Sequence, residues 1–331
     1  MKKIFITGGG GFIGSHLVET LVKDGYRVKT IIPYNINNSW EWIDTFSKEI
    51  KKNIEVVTGD IRDSNLVLKE TKKIDIIFHL AALISIPYSY KSAQSFISTN
   101  VEGTLNMLEA AKSNSIELFV HTSTSEVYGS AQFIPITEKH PLNAQSPYAA
   151  SKIASDQLSL SYYKSFNLPI VVIRPFNTFG PRQSLRAAIP TMITQVLNQK
   201  KIKLGNINTS RDFTYISDTI NGFVLTIGNN KCIGEVINLG TGYDFSIQET
   251  LNYITKIVKK KVSVVLDKQR IRPEKSEVKK LQSSNLKAKT ILNWKPIYCG
   301  KKGFSNGLKK TVDWFNNSNN LSKYKLDIYN F

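Results

Sequence analysis

The segment Thr7-Gly8-Gly9-Gly10-Gly11-Phe12-Ile13-Gly14 constrains this chain more than any other. It directly follows a short apolar run, residues 4–7, and opens a helical pattern carried by Ile13, Leu17 and Leu21. Gly8, Gly11 and Gly14 have the G-x-x-G-x-x-G spacing. Glycine at such a strand-to-helix junction allows a tight turn and lets a pyrophosphate approach the backbone, and the helix N-terminus then stabilises its charge. A lone glycine motif is weak, but the strand before it and the helix after it supply the context that a dinucleotide site requires. Gly8, Gly11, Phe12 and Ile13 are therefore candidate cofactor contacts.

The rest of the first half keeps the same rhythm. Strand patterns fall at residues 28–32, 55–58, 74–80, 118–122 and 170–174, with helical patterns between them, such as Val101, Leu105 and Leu108. Strand-helix alternation of this kind predicts an α/β fold, a Rossmann-type doubly wound parallel sheet covered on both faces. Near-continuous apolar runs such as Ile74-Asp75-Ile76-Ile77-Phe78 suit strands buried on both sides. After about Arg174 the loops lengthen and carry Gly and Pro, as in Phe179-Gly180-Pro181-Arg182 and Arg272-Pro273-Glu274. The expected division is residues 1–174 as mainly the dinucleotide-binding domain. Residues 175–331 then form mainly a smaller mixed α/β substrate lobe, with some of the chain crossing back.

Composition narrows the class. At 331 residues and 41% hydrophobic, the chain can bury a sizeable core as one large or two coupled domains. No run reaches the ~18 apolar residues of a membrane span. The N-terminal apolar run breaks at once into glycines, so it predicts a first strand rather than a signal peptide. Cys232 and Cys299 share no metal-like spacing and no two of the four His form a zinc pattern, which predicts free thiols, no metal and a cytoplasmic setting. The net charge of +18 reads as a solubilising surface that would also help capture an anionic nucleotide. Nucleic-acid binding would want basic residues clustered with exposed aromatics, and none is visible. The densest cluster, Lys259-Lys260-Lys261, follows Leu251, Ile254, Ile257 and Val258 and fits the C-terminal turn of a helix.

Two further stretches belong with the glycine segment. Asp60-Ile61 follows the third strand pattern, where an adenine ring would sit, although Asp is equally at home as a turn or helix cap. Leu80-Ala81-Ala82 ends the fourth with small residues beside the expected cofactor. The second strand departs from the usual plan. Folds of this type end it with an acid for the adenosine ribose, but here it runs Val28-Lys29-Thr30-Ile31-Ile32-Pro33-Tyr34. No arginine follows to welcome a 2′-phosphate, so this position leaves NAD and NADP both open.

The chemistry is carried by Ser123-Thr124-Ser125-Glu126-Val127-Tyr128-Gly129 and Tyr148-Ala149-Ala150-Ser151-Lys152. Tyr148 and Lys152 lie one helical turn apart and face the same way. A nearby ammonium favours the phenolate and would lower the Tyr148 pKa. Tyr148 could then take the proton from a sugar hydroxyl while hydride passes to a nicotinamide, with Thr124 hydrogen-bonding the same hydroxyl. Glu126 is more than alcohol oxidation needs. Once a sugar carbon is a ketone, the neighbouring C–H is acidified, and a carboxylate can remove that proton while a hydroxyl one carbon further leaves as water.

Gly8/Gly11/Gly14, Thr124-Ser125-Glu126 and Tyr148/Lys152 together resemble the extended short-chain dehydrogenases/reductases, over essentially the whole chain. Within them the chain resembles the nucleotide-sugar 4,6-dehydratases, and among these the dehydratases of legionaminic acid biosynthesis. The supporting segments are Tyr34-Asn35 with Ser39-Trp40-Glu41-Trp42, Arg174-Pro175-Phe176-Asn177-Thr178, Arg211-Asp212-Phe213 and Arg272–Glu277. The resemblance implies NAD as cofactor, with NADP second, and a GDP- or UDP-linked N-acetylglucosamine as substrate. It implies Asn177, Arg211 and Arg272 as the grip on the diphosphate and nucleotide; arginine's planar fork suits phosphate oxygens. It also implies a homodimer formed through the helices beginning near Ala93 and Tyr148. Ser125 departs from the Asp that many dTDP-glucose dehydratases carry between Thr and Glu, so that acid's role does not carry over, and either Glu126 or a neighbour supplies the proton to the leaving hydroxyl. A UDP-glucuronate decarboxylase would usually place an arginine where Ile153 stands, and a 4-epimerase has no use for a carboxylate at position 126.

Overall fold

Six strands of the first half form one parallel sheet in a computed structural model that describes residues 2–325. They are β1 (Lys3–Thr7), β2 (Arg27–Ile32), β3 (Ile54–Thr58), β4 (Ile76–His79), β5 (Leu118–Thr122) and β6 (Ile170–Pro175). The second half adds β7 (Asn177–Phe179), β8 (Lys201–Leu204) and β9 (Ser210–Tyr215), and then crosses back with β10 (Val236–Leu239), which pairs parallel with β6. The resulting order is β10-β6-β5-β4-β1-β2-β3. The order turns about β1 and β4, and the Phe12–Lys23 helix leaves from the carboxyl end of β1. In such sheets, ligands bind outside the strand carboxyl ends at this switch point.

Alternate residues explain why these strands read as apolar runs. Ile4, Ile6, Phe78, Val120, Val171 and Ile173 pack into a core on one face. Phe5, Ile77, Phe119, Ile170 and Val172 pack into a second core on the other. A strand buried on both faces has no polar side to alternate with. Two sequence patterns need correction. The run 74–80 shortens to β4, because the Leu80 N–H turns to the main-chain and hydroxyl oxygens of Thr7 at 3.2 and 3.1 Å. In the Gly103–Ser113 helix, Thr104, Met107, Leu108 and Ala111 are buried, whereas Leu105 stays 37% exposed. A π-helical turn over Ile97–Glu102 precedes that helix and shifts its facing by part of a turn.

The second half builds its own small sheet around β9. It pairs parallel with β7 and β13 (Lys280–Leu281) and antiparallel with β11 (Asp244–Ser246), while β12 (Ser263–Leu266) pairs with β8. Asp212 anchors this sheet. Its buried carboxylate accepts from Thr241 N and Oγ1, Gly242 N and Ser283 N at 2.7–3.1 Å. Burial nevertheless raises its pKa to about 6. The Ile247–Val258 helix ends where the lysine cluster begins, with Lys259 in a left-handed cap and Lys260 Nζ on Leu197 O at 3.0 Å. Cys232 is buried and Cys299 exposed, both as free thiols. Among the described residues no helix is long and apolar enough to cross a membrane, and no group of His, Cys, Asp and Glu could hold a metal ion. Of the expected substrate lobe, residues 326–331 lie outside the described ones.

Candidate active site

The glycine segment forms a tight turn between β1 and the Phe12–Lys23 helix. Gly8 has φ +73°, and a Cβ there would sit 3.0 Å from Ala81 N. A Cβ on Gly14 would lie 2.0 Å from Gly8 O, so only glycine lets the helix start against the turn. Gly11 is the residue before the helix, and the amides of Phe12 and Ile13 begin its first turn. Thr7 ties this loop to the next strand: its Oγ1 accepts from Leu80 N and Ala81 N at 3.1 and 3.0 Å. Leu80-Ala81-Ala82 is thereby drawn alongside Gly8. A glycine turn that opens a helix N-terminus suits a dinucleotide pyrophosphate.

Asp60 and Ile61 divide their tasks. Asp60 accepts from the Arg62 amide at 2.9 Å and pairs with its guanidinium at 2.6 Å, which holds the carboxyl below its ordinary range. Ile61 is buried against Gly103.

Tyr148 is placed by helix chemistry. Ser146 caps the Pro147–Phe166 helix by accepting from Ala149 N at 3.1 Å, and Pro147 supplies a preset first turn. The Tyr148 phenol is buried, lies edge-on to Phe96 and stands near enough to Thr124 for that hydroxyl to favour its ionised form. Its pKa is not lowered in this structure: burial pushes it well up, Thr124 opposes this, and the Glu126 charge adds to it. The lowering expected from Lys152 does not arise; burial dominates, and Lys152 Nζ donates to Thr122 O at 2.7 Å. Burial also brings Lys152 down to about 8, against the pull of Asp156 one turn further along.

Beneath this pair lies a polar network that the sequence reading did not single out. The buried Asp156 accepts from Ser123 Oγ at 2.8 Å and from Arg174 Nε and Nη2 at 3.1 and 2.9 Å, and lies 3.2 Å from His121 Nε2. Arg174 Nη1 continues to the Tyr128 hydroxyl at 2.9 Å, which donates to Asn238 Oδ1 at 2.7 Å. Asn100, inside the π-helical turn, brackets Leu83 N and O at 2.8 and 2.9 Å and reaches Ser151 Oγ at 2.9 Å. Asp156 could have been found from its spacing, four residues past Lys152. Asn100 had no such signal, because a π turn leaves no clear periodicity.

Thr124 caps the short Ser125–Tyr128 turn by accepting from Glu126 N at 3.2 Å, and Ser125 is buried within that turn. Glu126 faces the second half of the chain, 3.7 Å from Arg272 Nη1. Arg211, buried on β9, pairs with Glu277 at 3.5 Å, and burial lowers its pKa while Glu126 and Glu277 hold it up. Asn177 starts β7, and its buried Oδ1 has no hydrogen-bond partner, like Arg272 Nη1. Buried polar groups are normally paired, so Asn177 Oδ1, and Arg272 Nη1 beyond its loose ion pair with Glu126, have hydrogen-bonding capacity to offer a polar ligand. Ile153 packs beside Val127 and Tyr128 in an apolar cluster, away from any anion-binding role.

A family model described as GDP-mannose 4,6 dehydratase matches residues 5–310. The human dTDP-D-glucose 4,6-dehydratase is 31% identical over 336 residues, spanning 97% of this chain and 93% of that protein. Among solved structures, the Streptomyces venezuelae dTDP-glucose 4,6-dehydratase, a double mutant with NAD bound, superposes with TM-score 0.83 at 28% identity, over 95% of this chain and 97% of that one. A Bacillus cereus UDP-glucuronic acid 4-epimerase variant with NAD and a fluorinated UDP-sugar gives TM-score 0.85 at 32% identity, over 95% and 99%. The chain belongs to the nucleotide-sugar 4,6-dehydratase and epimerase family of extended short-chain dehydrogenases/reductases. It is thus an enzyme of that family, built on a parallel seven-stranded Rossmann-type sheet.

Proposed function

We propose that this protein is an NAD-dependent 4,6-dehydratase acting on a nucleotide-diphospho-N-acetylglucosamine, GDP-linked in preference to UDP-linked, of the kind that opens legionaminic acid-type sugar biosynthesis. One observation carries the reading. Glu126 sits in the turn capped by Thr124, beside the Tyr148 wall, and lies 3.7 Å from Arg272 Nη1 on the opposite one, and its charge bears on the phenol. Two bases of different kinds thus face one space. NAD, when bound over the glycine cradle, supplies hydride acceptance and hydride return.

The chain's own residues do the rest. Thr124 and Tyr148 hold the carbon 4 hydroxyl, and Tyr148 takes its proton; burial, which raises the phenol's pKa, makes its deprotonated form scarcer but the stronger base. Lys152, anchored on Thr122 O, keeps a positive charge below that step. Glu126 removes the carbon 5 proton and delivers a proton to the departing carbon 6 hydroxyl, since Ser125 offers no acid. Asn177, Arg211 and Arg272 hold the diphosphate and nucleotide. The product is a 4-keto-6-deoxy sugar nucleotide. The exposed Ile97, Leu105 and Phe166 support pairing of two copies through the helices that carry them, and light scattering would read a dimer mass.

A 4-epimerase is the second reading, favoured by the structural likeness to the Bacillus cereus enzyme. The deciding experiment incubates the protein with GDP- and UDP-N-acetylglucosamine and reads product mass. Loss of one water without net NADH formation is expected from one donor. Unchanged mass with altered sugar configuration would overturn the dehydratase in favour of the epimerase.

A further inference from the structure

The missing acid at the end of β2 has a structural counterpart elsewhere. After Ile32 the chain leaves the sheet through Tyr34 and Ile36, both exposed, and then folds back as a braced loop. Asn35 Oδ1 accepts from Ser39 N at 2.9 Å, and Asp44 Oδ2 accepts from Ser39 Oγ and Trp40 N at 2.7 and 2.9 Å. The Trp42 amide then donates to Gly10 O at 3.2 Å, and Ile43 is buried in the core. This pins the loop to the glycine segment.

Glu41 sits at the point of contact. Its φ is +55°, a left-handed conformation that costs a non-glycine residue energy and is uncommon outside Asn, Asp and Gly. That conformation lays its side chain on Gly10, where a Cβ would come within 2.5 Å of Glu41 Oε2 and 2.9 Å of Glu41 Cβ. Gly10 and Glu41 are therefore one packing arrangement: the space a residue 10 side chain would fill is occupied by a carboxylate. The residue as a whole is open to solvent, but its carboxyl lies against the loop, and burial raises its pKa. Among the described residues, no basic side chain pairs with it.

We propose that Glu41 replaces the absent strand-end acid as the selectivity residue for the dinucleotide's adenosine ribose. Its carboxylate accepts from the ribose hydroxyls and its charge excludes a 2′-phosphate, so the enzyme takes NAD and rejects NADP. A vicinal diol offers two O–H donors to a carboxylate, whereas a phosphate monoester offers mainly negative charge to it. The inference rests on the dinucleotide-site reading above.

The test titrates NADH and NADPH, by protein fluorescence quenching, into the full-length wild type and the variants E41Q and E41R. E41Q keeps the shape over Gly10 and removes only the charge. The wild type is expected to bind NADH more tightly. The NADH/NADPH affinity ratio should fall by about tenfold in E41Q, the scale of one charged hydrogen bond, and further in E41R. A ratio that stays within about twofold of wild type in both variants, at unchanged melting temperature, would overturn the assignment on that scale. So would a wild type that prefers NADPH. Wild-type protein that binds neither dinucleotide would instead overturn the nucleotide-site reading itself.

Discussion

The two walls of the site are built on opposite principles. On the parallel-sheet side, Thr124, Tyr148 and Lys152 come from two short stretches, and their polar atoms are engaged with protein: Tyr148 with Thr124, Lys152 with Thr122 O, and Asp156 beneath with Ser123 and Arg174. On the side of the second half, Asn177, Arg211 and Arg272 come from three distant segments; Arg211 and Arg272 lie in loose ion pairs with Glu277 and Glu126 at 3.5 and 3.7 Å, and Asn177 Oδ1 has no hydrogen-bond partner. The first wall is held mostly by its own short hydrogen bonds. On the proposed function, the second is completed by the sugar nucleotide it binds. Chemistry that recurs unchanged can be fixed in advance, whereas recognition of a particular sugar nucleotide needs groups held in reserve.

Each prediction tests one wall against the other. Tyr148→Phe removes the phenol and should abolish carbon 4 oxidation, a fall of about 10³-fold or more in kcat; a rapid-quench assay for the keto sugar that finds normal turnover would break the preorganised wall. Glu126→Gln should cost about 10²-fold in dehydration while leaving NAD binding intact. Its expected signature is solvent deuterium no longer entering carbon 5, read by mass. Arg272→Ala should raise KM by about tenfold with a smaller change in kcat, because it withdraws a ligand-fitted group rather than a base. Steady-state kinetics that showed the reverse split would move Arg272 to the catalytic wall.

The smallest effect is in pH. Lys152 is charged below its pKa of about 8 and loses its proton above it, so kcat/KM should decline on the alkaline side near pH 8 rather than near the ordinary lysine value. Lys152→Arg stays charged throughout and should flatten that limb, whatever it costs in absolute rate.

Legibility followed the same division. Gly8 and Gly14 announced themselves because the left-handed turn at one and the close backbone approach at the other admit only glycine, and Gly11 completes their spacing. Tyr148 and Lys152 did so because an i, i+4 pair is a local fact of a helix. The strands of the main sheet were readable because burial on both faces leaves an unbroken apolar run. Leu105 misled because the π turn ahead of it rotates the helix, and the Tyr148 pKa misled because its largest cause is burial, which only tertiary packing decides. Asn100 and Asp156 hold the site from beneath through contacts that no short motif encodes.

The sequence by itself therefore determined the doubly wound sheet, the glycine turn and the placement of a phenol and an ammonium on one helix, because each depends on interactions within a few residues or on a strict periodicity. The tertiary structure alone decided that Glu126 meets Arg272, that β10 returns to the first sheet, and that Glu41 rests on Gly10. Those pairings join residues far apart in the chain, and their geometry is set by how loops are braced and cores are filled rather than by any pattern along the chain.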